Sequence, residues 1–282
     1  VASNTLRFCN RPGTFYLSQQ GARCKAAAMA ASGIDAAAID VATISLVREK
    51  VGLNELNIPV SDEDGSAVLS LLAPKDEQAL LELYMENESK FVGLPLWGAV
   101  WPAALALTRH ANIGQLCTGA TCMELGCGLG LAGIAAAVTG KPRSMLLTDY
   151  DPVAVEMSVL NAERCGVREV CSGAALDWLK LDAWPESEFD LVIGADILYE
   201  PEMLGPLTAV LTRTIKPGGL FLLADGQWRK QRDEMYERLL ASGAFRREAD
   251  DEIVTVSNID NCMPMDTLGT QQVVLARFTR IV

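Results

Sequence analysis

The chain has 282 residues, half of them hydrophobic, and a formal net charge of -12. This length and apolar content allow a sizeable buried core, whereas the negative charge disfavours DNA or RNA as a partner because it repels phosphate backbones. No unbroken apolar stretch reaches the roughly 18 residues that a membrane-spanning helix needs. The composition predicts a globular protein without a nucleic-acid or membrane partner.

Residues 1–34 differ in composition from the rest of the chain. They contain four basic residues and no acidic one, with an alanine-rich run from Ala26 to Ala31. This make-up is typical of an organelle transit peptide, and a disordered tail can share it. We expect a chloroplast or mitochondrial location if the segment is a transit peptide, and a cytoplasmic one otherwise.

Metal-ligating residue types are sparse and poorly spaced. The eight cysteines include no C-x-x-C pair, and His110 is the only histidine. A zinc site, a dithiol redox pair or a histidine-based triad is therefore disfavoured. We predict no metal centre and a reducing compartment.

The segment 35–75 predicts a short N-terminal β extension. Its apolar runs at 44–47, 56–60 and 68–72 have strand length, and an Asp-Glu-Asp-Gly turn separates the last two. Two helices should follow, one after Pro74 and the other from Pro102 to His110.

Strands and helices alternate from residue 121 to residue 242, with glycines at several turns. Apolar strands at 121–125, 144–148, 189–194 and 220–224 are each followed by a helix-length segment. This alternation predicts an α/β domain, spanning 76–282, in which helices cover both faces of a parallel sheet. The last two apolar runs, 253–257 and 272–278, predict an antiparallel hairpin at the sheet edge.

A glycine-rich loop follows the first strand of this unit. Gly126, Gly128 and Gly130 let the backbone turn sharply and approach a ligand closely. Taken alone, such a motif can also be a tight turn needed for packing. Asp149, however, ends the next strand, 19 residues after Gly130, where a carboxylate can accept hydrogen bonds from ribose hydroxyls.

The glycine spacing by itself fits two classes of cofactor. Gly128, Gly130 and Gly133 also satisfy the G-x-G-x-x-G pattern of NAD-binding proteins. Glu124 favours the second class, a cofactor that carries a cationic sulfonium and an amino group. A carboxylate beside the loop attracts these groups but repels the pyrophosphate of NAD.

The sequence from Glu124 to Gly130 resembles the first motif of the seven-stranded class I methyltransferases, which use S-adenosyl-L-methionine. The surrounding sequence, over roughly residues 44–282, resembles methyltransferase family 16, which includes protein-lysine methyltransferases. The resemblance implies a Rossmann-like, seven-stranded, mostly parallel sheet with an antiparallel C-terminal hairpin. It also implies S-adenosyl-L-methionine as the methyl donor and a protein lysine as the acceptor.

The resemblance further assigns individual residues. Trp101 would lie against the cofactor, Asp177 and Trp178 would hold the adenine, and the D-x-x-Y signature would be Asp196 to Tyr199. We predict Asp196 and Tyr199 as catalytic. The predicted cofactor-binding residues are Trp101, Glu124, Gly126, Cys127 (through its backbone), Gly128, Gly130, Asp149, Asp177, Trp178 and Ala195.

These residues also have purely structural interpretations. Trp97 and Trp101, four residues apart, could stack in the core. Trp178 could be a packing residue, and Asp177 and Asp196 could cap helices.

Methyl transfer from a sulfonium is a direct displacement that requires alignment and exclusion of water. A lysine acceptor, with an ordinary pKa of about 10.4, must arrive neutral. Asp196 would orient the amine and accept or relay its proton, and Tyr199 would complete the wall of the site around the amine. A small amine remains an alternative methyl acceptor. Two other classes of protein also remain as alternatives: a non-catalytic adaptor that binds the cofactor, and an NAD-dependent oxidoreductase.

Overall fold

The computed structural model describes residues 41–61, 67–109, 113–257 and 269–282. The predicted transit peptide at 1–34 and His110 lie outside these residues. Within them, none of the helices is long and apolar enough to cross a membrane.

The described chain begins with helix α1 (Val41–Lys50), followed by strands β1 (Leu53–Pro59) and β2 (Val68–Pro74). The two strands pair antiparallel, with Leu56 opposite Leu71, which confirms the predicted hairpin.

The strand predicted at 44–47 is wrong, because these residues lie inside α1. Their β-branched side chains favour a strand, but tertiary context overrides this weak preference. The helix ends where the N–H groups of Val51 and Gly52 donate to the carbonyl of Val47. Gly52 has a φ of 77°, a conformation typical of the residue after a helix.

The connection to the main sheet is helical. Both helices predicted for this segment are confirmed, the second over its described residues, which reach Arg109. In α2, Asp76 caps the first turn by accepting a hydrogen bond from the N–H of Ala79 at 2.9 Å. The elements are α2 (Glu77–Glu86), a 3-10 turn (Leu96–Gly98), α3 (Pro102–Arg109) and α4 (Ile113–Cys117).

The central sheet has eight strands, covered by four further helices. The strands are β3 (Thr121–Leu125), β4 (Ser144–Asp149), β5 (Cys171–Ala175), β6 (Phe189–Ala195), β7 (Ile215–Gly226), β8 (Phe245–Arg247), β9 (Glu252–Ser257) and β10 (Thr270–Arg280). The helices are α5 (Leu131–Gly140), α6 (Pro152–Arg164), α7 (Leu204–Thr214) and α8 (Gln231–Ala241).

The strand order is β5-β4-β3-β6-β7-β10-β8, with β9 also paired to β10. Strands β3 to β7 are parallel, and β10 is antiparallel to β7, β8 and β9. The predicted Rossmann-like sheet and its C-terminal hairpin are confirmed. Among the described residues, this sheet has eight strands instead of seven because two short segments, β8 and β9, share the outer side of β10.

The chain order places a crevice at the carboxyl ends of β3, β4 and β6. From β3 the chain proceeds outward to β4 and β5, then returns to the other side of β3 as β6. In open α/β sheets, ligands bind at such a reversal.

The N-terminal hairpin is joined to this crevice by one buried side chain. Asn161 of α6 accepts a hydrogen bond from the N–H of Leu72 at 2.7 Å and donates to its carbonyl at 3.1 Å. The same amide donates to the carbonyl of Leu129, in the glycine loop, at 3.0 Å. Buried side chains of both hairpin strands belong to the same hydrophobic core as α5 and α6. A domain boundary at residue 75 remains a prediction.

We expect Asn161→Ala to lower the free energy of unfolding by about 3 kcal/mol, since each buried backbone group left without a partner costs roughly 1–3 kcal/mol. Urea unfolding measures this change. The matched control is Asn87→Ala, which removes one bond, to the carbonyl of Leu83 at the end of α2, and should cost less than about 1 kcal/mol. Equal losses in the two variants would contradict the role assigned to Asn161.

Candidate functional site

A deep cleft opens at the reversal point of the sheet. It encloses about 1370 Å³, including the part that is open to solvent. The structure brings eleven of the twelve predicted site residues to its walls. They are Trp101, Glu124, Gly126, Cys127, Gly128, Asp149, Asp177, Trp178, Ala195, Asp196 and Tyr199.

Gly130 is the predicted residue that is not part of the cleft wall. It precedes α5 with a φ of 81°, and a Cβ there would lie 2.9 Å from the Cβ of Ser158. This glycine therefore serves the close packing of α5 against α6.

The glycine loop is held against the end of β4. Asp149 accepts hydrogen bonds from the N–H groups of Gly128 at 2.9 Å and Asp151 at 3.0 Å, one on each carboxylate oxygen. Gly126 and Gly128 have φ values of 60° and 52°, which glycine adopts without strain. Burial raises the pKa of Asp149 despite these bonds. Asp149 thus fixes the loop and still faces the cleft.

Glu124 lies on the floor of the cleft, with 2% of its surface exposed. Its Oε2 accepts a hydrogen bond from the N–H of Gly133, in the first turn of α5, at 2.9 Å. Burial raises the pKa of Glu124 to about 8, while the Gly133 N–H opposes that rise. The side chain therefore anchors α5 in addition to lining the cleft.

A buried hydrogen-bonded chain supports the wall beside Asp149. The indole N–H of Trp97 donates to the hydroxyl of Tyr84 at 2.8 Å, and that hydroxyl donates to Asp151 at 2.6 Å. Asp151 also caps α6 by accepting from the N–H of Val153 at 2.8 Å. Its pKa is raised to about 7, mainly by burial.

Sequence analysis missed Tyr84 and Asp151. The Asp-Pro pair at the start of α6 is a capping signal that could have indicated Asp151. No local signal indicates Tyr84, which is 67 residues away from the carboxylate it binds. Trp97, which was not among the predicted site residues, also lines the cleft.

Two tryptophans form further parts of the wall. The indole N–H of Trp101 donates to the carbonyl of Leu96 at 2.8 Å, which fixes its ring at the start of α3. Trp178 packs against the hydrophobic core beneath β6 and β7 and also lines the cleft. Its neighbour Asp177 accepts from the N–H of Leu179 at 2.9 Å, so Asp177 stabilises the turn that presents Trp178.

Asp196 has an unusual backbone conformation at the end of β6. Its φ of 53° lies in the left-handed region, and its N–H donates to the carbonyl of Ala224 at 2.9 Å. One carboxylate oxygen accepts from Arg229 at 3.1 Å, and the other from the N–H of Ala103 at 3.4 Å. The residue before α7 is Met203, so Asp196 does not cap that helix. Sequence analysis missed Arg229.

Tyr199 lies at the mouth of the cleft. Its side chain contributes to the wall, yet 46% of the residue is exposed. Tyr199 is therefore not an ordinary core residue.

The cleft is strongly acidic. Six carboxylic side chains line it, and the described lining residues include no lysine, arginine or histidine. They are Glu124, Asp149, Asp151, Asp177, Asp196 and Glu200. Such a lining favours a cationic ligand over an anionic one such as a pyrophosphate.

The raised pKa of Glu124 predicts a stability that depends on pH. The folded chain retains this proton up to about pH 8, whereas the ordinary pKa is 4.5. Between these values the folded state binds more protons than the unfolded state, so the free energy of unfolding falls as the pH rises. We expect Glu124→Gln to lose less stability than the wild type between about pH 5 and about pH 8.5.

Urea unfolding at the two pH values tests this expectation. Asp151, whose pKa is also raised, still contributes to the pH dependence in the variant. The pH dependence of the free energy of unfolding should therefore become smaller without disappearing. Glu237→Gln, at an exposed position of α8, is the control and should follow the wild type. An unchanged pH dependence in Glu124→Gln would contradict the assignment.

Comparison with known proteins identifies the family. A family model described as lysine methyltransferase matches residues 77–242. Protein N-lysine methyltransferase METTL21A of Danio rerio is 32% identical over 142 residues, which are 49% of this chain and 63% of that protein. The electron transfer flavoprotein beta subunit lysine methyltransferase of Xenopus laevis is 31% identical over 140 residues, covering 49% of this chain and 55% of that protein.

The chain therefore matches only about 55–63% of the length of these two relatives. A solved structure described as "Conversion of a Disulfide Bond into a Thioacetal Group during Echinomycin Biosynthesis" superimposes with a TM-score of 0.50. It is 18% identical and covers 73% of this chain and 93% of that one, which shows a shared fold. The family model spans more than half of the chain and contains every predicted site residue, so the chain belongs to the lysine methyltransferase family, methyltransferase family 16.

Proposed function

We propose that the chain binds S-adenosyl-L-methionine in the acidic cleft and transfers its methyl group to a lysine side chain of a protein. The observation that carries the proposal is the set of six carboxylic side chains around the glycine loop in a member of this family. The named functions of the two relatives support a protein lysine as the acceptor.

The residues of the cleft fit this donor chemically. A sulfonium and an ammonium are cations, which the carboxylates attract. Asp149 accepts the N–H groups of Gly128 and Asp151 on different oxygens, and it lines the cleft, where a ribose hydroxyl can donate to its carboxylate. The ring of Trp178 and the carboxylate of Asp177 form a wall suited to an adenine. Without Cβ atoms, Gly126 and Gly128 let the backbone approach the ligand.

The bound donor supplies an electrophilic methyl group, and the protein must align the acceptor and exclude water. In our proposal the amine enters past Tyr199 and donates a hydrogen bond to Asp196. The oxygen of Asp196 that faces the N–H of Ala103 at 3.4 Å is better placed to accept this hydrogen bond, because Arg229 holds the other oxygen at 3.1 Å. A proton lost by the lysine would pass to this carboxylate or through it to water.

The donor site is tested by isothermal titration with S-adenosyl-L-homocysteine. We expect micromolar binding by the wild type and at least about tenfold weaker binding by Asp149→Ala, a loss of roughly 1.4 kcal/mol. Asp182→Ala removes an exposed carboxylate and should bind like the wild type. Binding of NAD in place of S-adenosyl-L-homocysteine would overturn the proposal.

The acceptor site is tested by transfer of a labelled methyl group to a whole-cell protein extract. Asp196→Asn should slow transfer by about 100-fold, the scale of a lost general base. Tyr199→Phe should slow it less, by about tenfold, since one hydrogen bond is lost. Neither change should alter the affinity for S-adenosyl-L-homocysteine.

Glu202→Gln is the control, since Glu202 is exposed and two residues beyond the lining residue Glu200. This variant should transfer methyl groups at the wild-type rate. Unchanged transfer by Asp196→Asn would remove Asp196 from the mechanism.

A further inference from the structure

Arg229 is a buried cation directly behind the cleft. Its side chain is 9% exposed and lies between two carboxylates, 3.1 Å from Asp196 and 3.8 Å from Asp225. Its guanidinium also stacks over the ring of Trp228, 4.4 Å from the ring centre. Arg229 is thus held from three directions, and one of its contacts is a predicted catalytic group.

Asp225 has no exposed surface, and it follows Ala224, whose carbonyl holds the N–H of Asp196. A buried carboxylate is costly unless a cation or hydrogen-bond donors compensate it. Burial raises the pKa of Asp225 well above its usual range, Asp196 adds to that rise, and the arginine opposes it. Arg229 therefore compensates the charges of Asp196 and Asp225, which would otherwise repel each other.

The conformation of Asp196 requires support from its surroundings. A left-handed backbone in a residue other than glycine costs on the order of 1–3 kcal/mol and persists where neighbouring contacts enforce it. Two of the contacts that enforce it come from β7 and the loop after it: the carbonyl of Ala224 and the guanidinium of Arg229. The third, from the N–H of Ala103, is long at 3.4 Å.

We propose that Arg229 is the positioning residue of the acceptor site. It holds one oxygen of Asp196, and Asp225 and Trp228 hold Arg229 in turn. The other oxygen, which accepts the long hydrogen bond from the N–H of Ala103 at 3.4 Å, is the one that also accepts a hydrogen bond from the amine. An arginine suits this position better than a lysine because its planar fork can serve two carboxylates in fixed directions. The catalytic part of this inference rests on the proposed function, whereas the positioning of Asp196 does not.

Hydrogen–deuterium exchange tests the positioning without any methyl transfer. We expect Arg229→Met to speed exchange of the amides from Asp196 to Tyr199 by at least tenfold. The amides of the glycine loop, 126–130, should keep wild-type protection. Arg229→Lys should lie between the two, and Arg238→Met, which removes an exposed arginine of α8, should exchange like the wild type.

Unchanged protection at Asp196 in Arg229→Met would overturn the proposal. A rise of equal size throughout the chain would overturn it as well, because it would indicate general destabilisation instead of a local role.

A double-mutant cycle tests the catalytic part. Arg229→Met should slow the initial rate of labelled methyl transfer to a whole-cell protein extract by at least tenfold, with the affinity for S-adenosyl-L-homocysteine within twofold of the wild type. Arg229→Lys should recover part of the rate. In an Asp196→Asn background, Arg229→Met should change the rate less than twofold, because the group it positions is already lost.

The outcomes of the cycle are distinguishable. An equal effect of Arg229→Met in both backgrounds would overturn the inference, since it would show a role independent of Asp196. If the wild-type chain binds S-adenosyl-L-homocysteine but transfers no methyl group, the proposed function and the catalytic part fail together. The exchange measurement then still decides the positioning of Asp196.

Discussion

Hydrogen bonds from backbone N–H groups to buried carboxylates hold the cleft in shape. Glu124 binds the first turn of α5, Asp149 binds the glycine loop, and Asp151 binds the first turn of α6. The N-terminal ends of helices carry a partial positive charge and unpaired N–H groups, so these carboxylates compensate the backbone and are compensated by it. Glu124, Asp149 and Asp151 therefore share one cleft although its described lining residues include no lysine or arginine.

This arrangement connects the stability of the fold to the chemistry of the site. The pKa values of Glu124 and Asp151 are raised because burial outweighs the hydrogen bonds that these carboxyl groups accept. A cation in the cleft favours the ionised carboxylates, because opposite charges attract more strongly in a water-poor site. The same acids whose burial makes the fold less stable as the pH rises are thus suited to a cationic ligand.

The sequence predicted the parts of the fold that depend on local patterns. Continuous apolar runs located β3, β4, β6 and β7, and the spacing of Gly126, Gly128 and Asp149 located the cleft. The strand prediction for 44–47 was wrong because β-branched residues favour a strand only weakly, and tertiary context makes this segment part of α1. On the outer side of β10, two separate segments, β8 and β9, pair with that strand. This pairing joins distant parts of the chain, so no local sequence pattern predicts it.

The parts of the site that escaped prediction depend on contacts between distant segments. Arg229 reaches Asp196 across 33 residues, and Asn161 reaches Leu72 across 89. Such partners have ordinary local sequences, and only the folded sheet brings them together. The family resemblance located Asp196 but gave no indication of the cation that holds it.

The most direct test of the account is to identify the amino acid that receives the methyl group. Wild-type chain is incubated with methyl-labelled S-adenosyl-L-methionine and a whole-cell extract, and the labelled protein is hydrolysed and separated by chromatography. We expect the label to be recovered as methylated lysine, and we expect labelling to be about 100-fold slower when Asp196→Asn replaces the wild type. Label found only in small molecules, or in another amino acid, would contradict it.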